Sequence, residues 1–319
     1  MSKRLLIIDQ FASVYADAIG PAFPHLRIET AARQEDVANA ETCDILISFG
    51  NTLTDDLYAR TRSLTWVQSL ATGVDQFLRN SRFPKDALLT SARGIHAAPM
   101  RETVAFLMLG ISRDATRLVA DKAAKRWERG SPWPILAGKT AVVVGTGVSG
   151  EGIAHLMKAF GMRTIAVTRT PRAIPGFDEV MAQADLAGAA ARADYLINVL
   201  PGGTANAGAI SRDVIGAMKS TAYFINVGRG ETVDEVALID ALQQRRIAGA
   251  GLDVVSRTPL PADSPIWTLP NVFLSPHIGG FFAEYEEHVM PIILHNIDAY
   301  LGGRFAQMKN VVRPGWAAL

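Results

Sequence analysis

The chain has 319 residues, of which 49% are hydrophobic and 20% are charged, and its formal net charge is +1. A chain of this length is too long for one ordinary core and suits two domains. Its near-neutral charge gives no indication of a nucleic-acid partner. The single cysteine, Cys43, excludes a disulfide framework within the chain and favours a reducing, cytoplasmic location. No apolar run approaches the roughly 18 residues of a membrane span, so no membrane contact is expected.

Short aliphatic runs alternate with helix-like segments along the whole chain. Strand candidates in the first part are 4–8, 45–49, 64–68 and 87–91. A long helix candidate follows over 98–120, where apolar residues recur at helical spacing. Strand candidates in the second part are 140–144, 163–168, 194–200, 221–227, 248–254 and 271–275. Continuous apolar strands separated by helices predict parallel sheets that are covered on both faces.

The order of these elements predicts an inserted topology. A last helix candidate, 281–301, precedes a C-terminal segment that can return to the first domain. We therefore expect an α/β fold with two Rossmann-like or flavodoxin-like doubly wound parallel-sheet domains. The second domain, 98–283, is expected to be inserted into a first domain formed by 1–97 and 284–319. Two crossings between domains would form a hinge, and the cleft between the domains is the expected ligand site.

A glycine loop follows the strand candidate 140–144 and precedes helix-like residues 153–160. The loop reads Gly145-Thr146-Gly147-Val148-Ser149-Gly150. Gly145 permits a tight turn, Gly147 lets a pyrophosphate approach the backbone, and Gly150 lets the helix pack on the strand. The alternative is a glycine-rich turn without a ligand. Because a strand and a helix flank the loop, the pattern predicts a dinucleotide-binding domain.

The strand candidate 163–168 bears on which dinucleotide is bound. It ends in Thr168-Arg169-Thr170, with Arg172 nearby. An NAD site usually has an acid here that accepts from the ribose 2′-hydroxyl, but the first acid after this strand is Asp178. A cation and two hydroxyls suit a 2′-phosphate, so the sequence favours NADP(H) over NAD(H). An arginine that stacks on adenine without discriminating is the alternative.

Two later residues suit carboxylate binding and proton transfer. Arg229 lies in a glycine-flanked turn after the strand candidate 221–227, and its planar guanidinium suits a carboxylate or a keto acid. His277 follows Pro276 at the end of an apolar run, and histidine can give or take a proton near neutral pH. A capping arginine and a structural histidine are the alternatives for each residue alone. No set of His, Cys and carboxylate residues has metal-ligand spacing, so no metal site is predicted.

These motifs, in this order, resemble the D-isomer-specific 2-hydroxyacid dehydrogenase family, and its glyoxylate/hydroxypyruvate reductase branch in particular. The resemblance covers nearly the whole chain. It implies an NAD(P)H-dependent reductase that converts small 2-oxo acids to D-2-hydroxy acids by hydride transfer. It also implies that His277 is the acid/base and that Arg229 orients the substrate's carboxylate and 2-oxo group.

The resemblance implies further site residues. In the segment Trp66–Asp75, the backbone N–H groups of Thr72 and Gly73 would hold the substrate carboxylate. Asp253 would contact the nicotinamide side of the cofactor. Besides the glycine loop and 168–170, the cofactor would contact residues at strand ends: Leu200, Pro201, Val227, Asp253, His277 and Gly279. The helix that begins near residue 98 would form much of a homodimer interface.

The chain departs from the family pattern at Thr258. The family usually has Glu-Pro where this chain has Thr258-Pro259, and that glutamate pairs with the histidine and raises its pKa. A hydroxyl at this position can still hold the second nitrogen of His277 but adds no charge. Our main expectation is a reductase whose activity is favoured at lower pH. The alternatives are another acid beside the histidine (Glu284 or Glu287), a cofactor-binding sensor or scaffold with decayed catalysis, and a formate-type dehydrogenase that needs no proton transfer.

Overall fold

The structure is a computed structural model that describes residues 2–51 and 53–313. The chain divides into two compact units. One unit, which we call the terminal unit, is formed by Met1–Ile95 and Ala283–Leu319. The other, which we call the central unit, is formed by His96–Phe282. These boundaries lie close to those expected from the pattern of strands and helices.

The described residues contain thirteen strands. In chain order they are β1 (Arg4–Ile8), β2 (Arg27–Ala31), β3 (Ile45–Ser48), β4 (Trp66–Ser69), β5 (Leu88–Thr90), β6 (Thr140–Val144), β7 (Arg163–Thr168), β8 (Glu179–Ala182), β9 (Tyr195–Asn198), β10 (Tyr223–Asn226), β11 (Gly249–Leu252), β12 (Val272–Leu274) and β13 (Val311–Arg313). Three of them, β2, β8 and β13, were not predicted from the sequence. Every other strand overlaps a predicted one.

The same residues contain ten α-helices. They are α1 (Ala12–Ala22), α2 (Asp55–Arg60), α3 (Asp75–Leu78), α4 (Ala97–Ser112), α5 (Ala115–Ala123), α6 (Val148–Ala159), α7 (Leu186–Arg192), α8 (Arg212–Ala217), α9 (Glu235–Gln243) and α10 (Tyr285–Leu301). The prediction of one continuous helix over 98–120 was wrong. The helix breaks at Asp114, whose φ of 52° is left-handed, a conformation that aspartate tolerates better than most residues.

The terminal unit is built on a six-stranded sheet in the order β13-β5-β4-β3-β1-β2. All neighbours are parallel except β13, which runs antiparallel to β5. The central strands are buried because helices cover both faces, which explains their continuous aliphatic sequences. The core of the terminal unit includes Leu6, Leu46, Val67, Phe77 and Leu89.

The central unit is built on a seven-stranded, fully parallel sheet in the order β12-β11-β10-β9-β6-β7-β8. The predicted fold class, two α/β units with parallel sheets, is confirmed. Because parallel strands all end at the same edge, the loops that follow them lie along that edge, which we call the carboxyl edge. None of the helices in the described ranges has both the length and the apolarity that a bilayer crossing requires.

Candidate active site

The glycine loop lies between β6 and α6 at the carboxyl edge of the central sheet. Gly145 has a φ of 105°, and a Cβ there would lie 3.1 Å from the carbonyl oxygen of Val199. A Cβ on Gly150 would lie 2.1 Å from the carbonyl oxygen of Gly145, so only glycine permits this packing. At Gly147, by contrast, a Cβ would meet no atom of the described chain within 4 Å beyond its neighbours. Gly147 precedes the first residue of α6, so this open space lies where a helix N-terminus attracts an anion.

The neighbouring strand β7 ends at the segment 168–170, in which Arg169 is exposed. The first acid after this strand, Asp178, lies beside the opposite end of β7. Its carboxylate accepts the main-chain N–H of Thr164 at 2.8 Å and pairs with Lys158. The Lys158 partner is the main cause that holds the pKa of Asp178 below its usual range. Asp178 is therefore engaged away from the carboxyl edge and is not placed to accept from a ribose there.

The strand order brings the predicted site residues of the central unit to the carboxyl edge in a definite sequence. Neighbouring strands lie about 4.8 Å apart, so each strand end is one step along the edge. Segment 168–170 lies at the end of β7, the glycine loop follows β6, and Leu200-Pro201 follows β9. Val227 and Arg229 follow β10, Asp253 follows β11, and His277 and Gly279 follow β12. The segments are thereby brought together in an order that differs from their order in the chain.

Arg229 follows β10 in a turn that requires glycine on both sides. A Cβ on Gly228 would lie 2.6 Å from the carbonyl oxygen of Leu200. A Cβ on Gly230 would lie 1.8 Å from the carbonyl oxygen of Val255. The turn is thus pressed against the ends of both neighbouring strands. The Arg229 guanidinium is half-buried, and its Nη1 donates to the carbonyl oxygen of Gly228 at 2.8 Å.

Asp253 anchors the loop that carries His277. Its buried carboxylate accepts three hydrogen bonds, from the hydroxyl of Ser275 at 2.6 Å and from the N–H groups of Ile278 and Gly279 at 3.0 Å each. His277 has a φ of 56°, a left-handed conformation that a non-glycine residue keeps only when its surroundings hold it. The main chain, rather than the ring, therefore fixes the position of this histidine. A contact between Asp253 and a nicotinamide remains a prediction.

The surroundings of His277 favour its neutral form. The side chain is exposed, but the protein around it still removes part of the hydration of the ring. This desolvation, together with the Arg229 cation, lowers the pKa of His277 below its ordinary value of 6.5. The Asp253 carboxylate raises the same pKa without reversing the shift. No described residue of the central unit hydrogen-bonds the imidazole ring.

Thr258 does not replace the glutamate of the family pattern as a partner of His277. It is exposed, and no hydrogen bond joins its hydroxyl to the imidazole. The expectation that this hydroxyl holds the second ring nitrogen was therefore wrong for this structure. Glu284 and Glu287 belong to the terminal unit, at the start of α10. A pairing of either acid with His277 remains a prediction.

His96 is a site residue that the sequence did not indicate. A Cβ on Gly280 would lie 3.0 Å from Cδ2 of His96, so the ring packs on the loop that follows His277. The ring also meets Phe282 edge to face, with centroids 6.3 Å apart. Burial and the Arg229 cation lower the pKa of His96 to about 4. This second imidazole is therefore neutral at neutral pH.

In the terminal unit, Thr72 and Gly73 lie in the loop between β4 and α3. Gln76 donates to the carbonyl oxygen of Gly73 at 3.2 Å, and the Tyr285 hydroxyl donates to the carbonyl oxygen of Leu70. The main-chain N–H of Gly73 has no acceptor among the described residues. The N–H groups of Leu70 and Ala71 are engaged within the unit, whereas that of Gly73 is left available to an anion. Its joint action with the arginine of the central unit remains a prediction.

Cys43 is buried, as expected for a small apolar residue. Burial raises the pKa of its thiol to about 12, so a reactive thiolate is disfavoured. In the described part of the chain, no three or more His, Cys, Asp and Glu side chains are grouped so as to hold a metal ion.

The sequence model of the D-isomer specific 2-hydroxyacid dehydrogenase NAD-binding domain matches residues 105–279. That range covers more than half of the chain and contains the glycine loop, Arg229, Asp253 and His277. The chain belongs to the D-isomer-specific 2-hydroxyacid dehydrogenase family. The family inferred from the motifs is thereby confirmed, and with it an NAD(P)-dependent oxidoreductase.

This dehydrogenase is similar over most of its length to glyoxylate/hydroxypyruvate reductases. Glyoxylate/hydroxypyruvate reductase B of Pectobacterium carotovorum is 31% identical over 278 residues, covering 86% of each chain. A D-isomer specific 2-hydroxyacid dehydrogenase family protein from Aeromonas salmonicida matches with a TM-score of 0.89 and 31% identity, covering 98% of this chain and 99% of that one. The NADPH-dependent glyoxylate/hydroxypyruvate reductase of Sinorhizobium meliloti, solved with NADP and sulfate, matches with a TM-score of 0.83 and 25% identity, covering 97% and 98%.

Proposed function

We propose that this dehydrogenase reduces small 2-oxo acids, of the glyoxylate and hydroxypyruvate kind, to D-2-hydroxy acids with NADPH. One observation carries the proposal: the glycine loop, Arg229 and His277 lie at the same edge of one sheet. The strand end at Leu200-Pro201 separates the loop from Arg229, and the end of β11 separates Arg229 from His277. A dinucleotide whose pyrophosphate lies on the glycine loop can therefore extend towards both residues. The similarity to glyoxylate/hydroxypyruvate reductase B supports the substrate class.

The proposed roles follow from the chemistry of each side chain. Arg229 binds the substrate's carboxylate and 2-oxo group through its forked guanidinium, and the N–H groups of Thr72 and Gly73 bind the same carboxylate. The bound nicotinamide supplies the hydride that the 2-oxo carbon receives. His277 donates a proton to the oxygen that becomes the hydroxyl group. Cofactor contacts at the strand ends are assigned to Leu200, Pro201, Val227, Asp253 and Gly279.

The preference for NADP(H) is proposed from the end of β7. Arg169 is exposed there between two threonines, and a guanidinium with neighbouring hydroxyls suits a 2′-phosphate. Asp178, the nearest following acid, is engaged by Lys158 and Thr164 at the other end of the strand. The Sinorhizobium relative, solved with NADP, is consistent with this preference.

We also propose a homodimer formed through the region that contains α4 and α5. Large apolar side chains are exposed there, including Phe106 at 55%, Val119 at 68% and Ile135 at 66%. A cavity of about 970 Å³ in the same region is lined by Leu118, Trp127 and Trp133, among others. Exposed apolar surface of this kind indicates an interaction site, and a second copy of the chain suits it. The cytoplasmic location remains a prediction from cysteine usage.

The deciding experiment measures initial rates of NADPH and NADH oxidation with glyoxylate, hydroxypyruvate, pyruvate and phenylpyruvate. Turnover with a preference for NADPH supports the proposal. Arg229→Lys keeps the charge but loses the fork, so kcat/KM is expected to fall by about 100-fold or more. Arg246→Lys, an exposed arginine after α9, is the matched control and should leave kcat/KM unchanged.

A cofactor-binding sensor is the second candidate, because no described residue of the central unit partners the His277 ring. It predicts tight NADPH binding, measured by fluorescence titration, without turnover of any of the four acids. A formate-type dehydrogenase is tested in the same assays by NAD(P)⁺ reduction with formate, a reaction that needs no proton donor.

A further inference from the structure

Three polar residues form a buried network beneath the Arg229 turn. Asn198 ends β9, Asn226 ends β10 and Thr232 follows the turn, and their exposed fractions are 0%, 2% and 0%. The Asn198 amide donates to Oδ1 of Asn226 at 2.9 Å and to Oγ1 of Thr232 at 2.7 Å. Polar groups this deeply buried are costly unless they are satisfied, so the network requires each of its members.

One end of this network lies on the main chain of the turn itself. The Thr232 hydroxyl donates to the carbonyl oxygen of Arg229 at 2.6 Å. Oδ1 of Asn226 accepts the N–H of Gly228 at 3.2 Å. The peptide that follows the arginine and the peptide that joins Val227 to Gly228 are therefore both tied to buried side chains.

The same network reaches the two neighbouring strand ends. Oδ1 of Asn198 accepts the N–H of Leu200 at 3.3 Å, next to the proposed nicotinamide contact. The Asn226 amide donates to the carbonyl oxygen of Val254 at 3.4 Å, one residue after Asp253. The ends of β9, β10 and β11 are thereby joined to one another by side chains as well as by the sheet.

We propose that Asn198, Asn226 and Thr232 are positioning residues that set the direction of the Arg229 side chain towards the substrate. This inference rests on the proposed role of Arg229 as the substrate clamp. The Thr232 hydroxyl fixes the plane of the peptide that follows the arginine, and the Asn226 amide fixes the residue that precedes it. A displacement of about 1 Å in a binding group can cost about 100-fold in rate, so the network acts through Arg229 without touching the substrate.

Two substitutions at Thr232 test this role. Thr232→Val keeps the shape and removes the hydroxyl. The Arg229 carbonyl then keeps only the main-chain N–H of residue 232, which lies at 3.2 Å, and one Asn198 amide hydrogen loses its partner. Thr232→Ser keeps the hydroxyl and removes only a methyl group. We expect kcat/KM for glyoxylate to fall at least about tenfold in the valine variant, with the Kd for NADPH unchanged, and to be largely restored in the serine variant.

Three kinetic results would overturn the inference. The first is a valine variant that matches the wild type in kcat/KM. The second is an equal loss in both variants and the third is a parallel loss of NADPH affinity, because either of these would indicate a merely structural role.

Crystal structures of both variants provide a readout that does not depend on turnover. The peptide that joins Arg229 to Gly230 should rotate in Thr232→Val and keep its orientation in Thr232→Ser. An unmoved peptide in the valine variant would also overturn the inference. If the wild type turns over none of the 2-oxo acids, the proposed function fails, but the two structures still decide whether the network orients the turn.

Discussion

The main-chain carbonyl of Asp253 accepts the N–H of His277 at 2.8 Å, while the Asp253 carboxylate holds the next two N–H groups of the same loop. The proposed proton donor is thus placed by backbone contacts within the central unit, where no described residue hydrogen-bonds its ring. The Asp253 charge also raises the pKa of His277, although partial desolvation of the ring and the Arg229 cation outweigh it. Asp253 therefore supplies part of the effect of the missing glutamate without touching the imidazole.

The pH dependence of reduction should show the effect of having Thr258 in place of the family's glutamate. Protonated His277 is the proposed donor, so kcat/KM is full below its pKa in the free enzyme and is lost as pH rises through it. That pKa lies below 6.5, so activity should already decline on the acid side of neutrality. In the family pattern a glutamate at this position pairs with the histidine, so Thr258→Glu should move the midpoint up by about one pH unit.

The matched control is Thr258→Gln, which has a similar size but no charge and should leave the midpoint in place. The measurement is kcat/KM for glyoxylate across acid to alkaline pH for all three proteins. A glutamate variant with the wild-type profile would contradict the electrostatic role assigned to position 258.

The choice between NADPH and NADH should depend on Arg169. Arg169→Ala removes the cation proposed to bind the 2′-phosphate, so the KM for NADPH should rise about tenfold or more while that for NADH changes little. Arg163→Ala, at the other end of β7, is the control because it breaks only an exposed pair with Glu179. Equal effects of Arg169→Ala on both cofactors would favour an arginine that stacks on adenine.

The glycine after Arg229 should be far less replaceable than the helical Gly188. Gly230→Ala would place a Cβ 1.8 Å from the carbonyl oxygen of Val255, so backbone atoms must move. We expect a loss of about 1–3 kcal/mol in the free energy of unfolding, together with loss of activity. Gly188→Ala, in α7 with no contact within 4 Å of the new Cβ, should stabilise the protein by up to about 1 kcal/mol. A comparison of Tm values checks both signs, and a Gly230→Ala variant with the wild-type Tm would refute the packing argument.

The proposed dimer should be sensitive to charge on α5. Val119 is 68% exposed, and Val119→Glu should shift the assembly towards monomer because a carboxylate is costly in an apolar interface. Val236 in α9 is 66% exposed, so Val236→Glu is a control of matched exposure that should leave the assembly intact. Light scattering after size-exclusion chromatography gives the molar mass. A monomeric wild-type protein would refute the proposed homodimer.

Most of the strands that could be predicted lie inside their sheets; the exception is β12, which lies at an edge. β1, β6 and β7 have continuous apolar runs because helices cover both sides of their sheets. The three unpredicted strands, β2, β8 and β13, all lie at sheet edges and are only partly buried. An edge strand carries polar residues where it meets water, so it lacks the run that marks a buried strand.

Some residues of the candidate site could be predicted from their neighbours in the chain, whereas others depend on contacts between distant segments. The glycine loop, Arg229 and His277 each lie in a short segment whose neighbours indicate a role. The Asn198–Asn226 contact depends on the register of β9 against β10, which pairs these residues. His96 is distant from Gly280 along the chain, and no spacing rule connects the two. The break at Asp114 was equally invisible, because it depends on one left-handed residue within a helical pattern.

The insertion of the central unit has a consequence for how the chain is made. The terminal sheet gains β13, and the loop after β4 gains the Tyr285 contact, only from residues that follow the whole central unit. Asn296 likewise donates to Gln68 at 2.8 Å across the same interval. At about 5–20 residues per second, a ribosome needs roughly 10–40 s to synthesise the intervening segment. The early strands of the nascent chain must therefore stay unaggregated for that time. The terminal unit, whose synthesis begins first, is thus the last unit that can complete its folding.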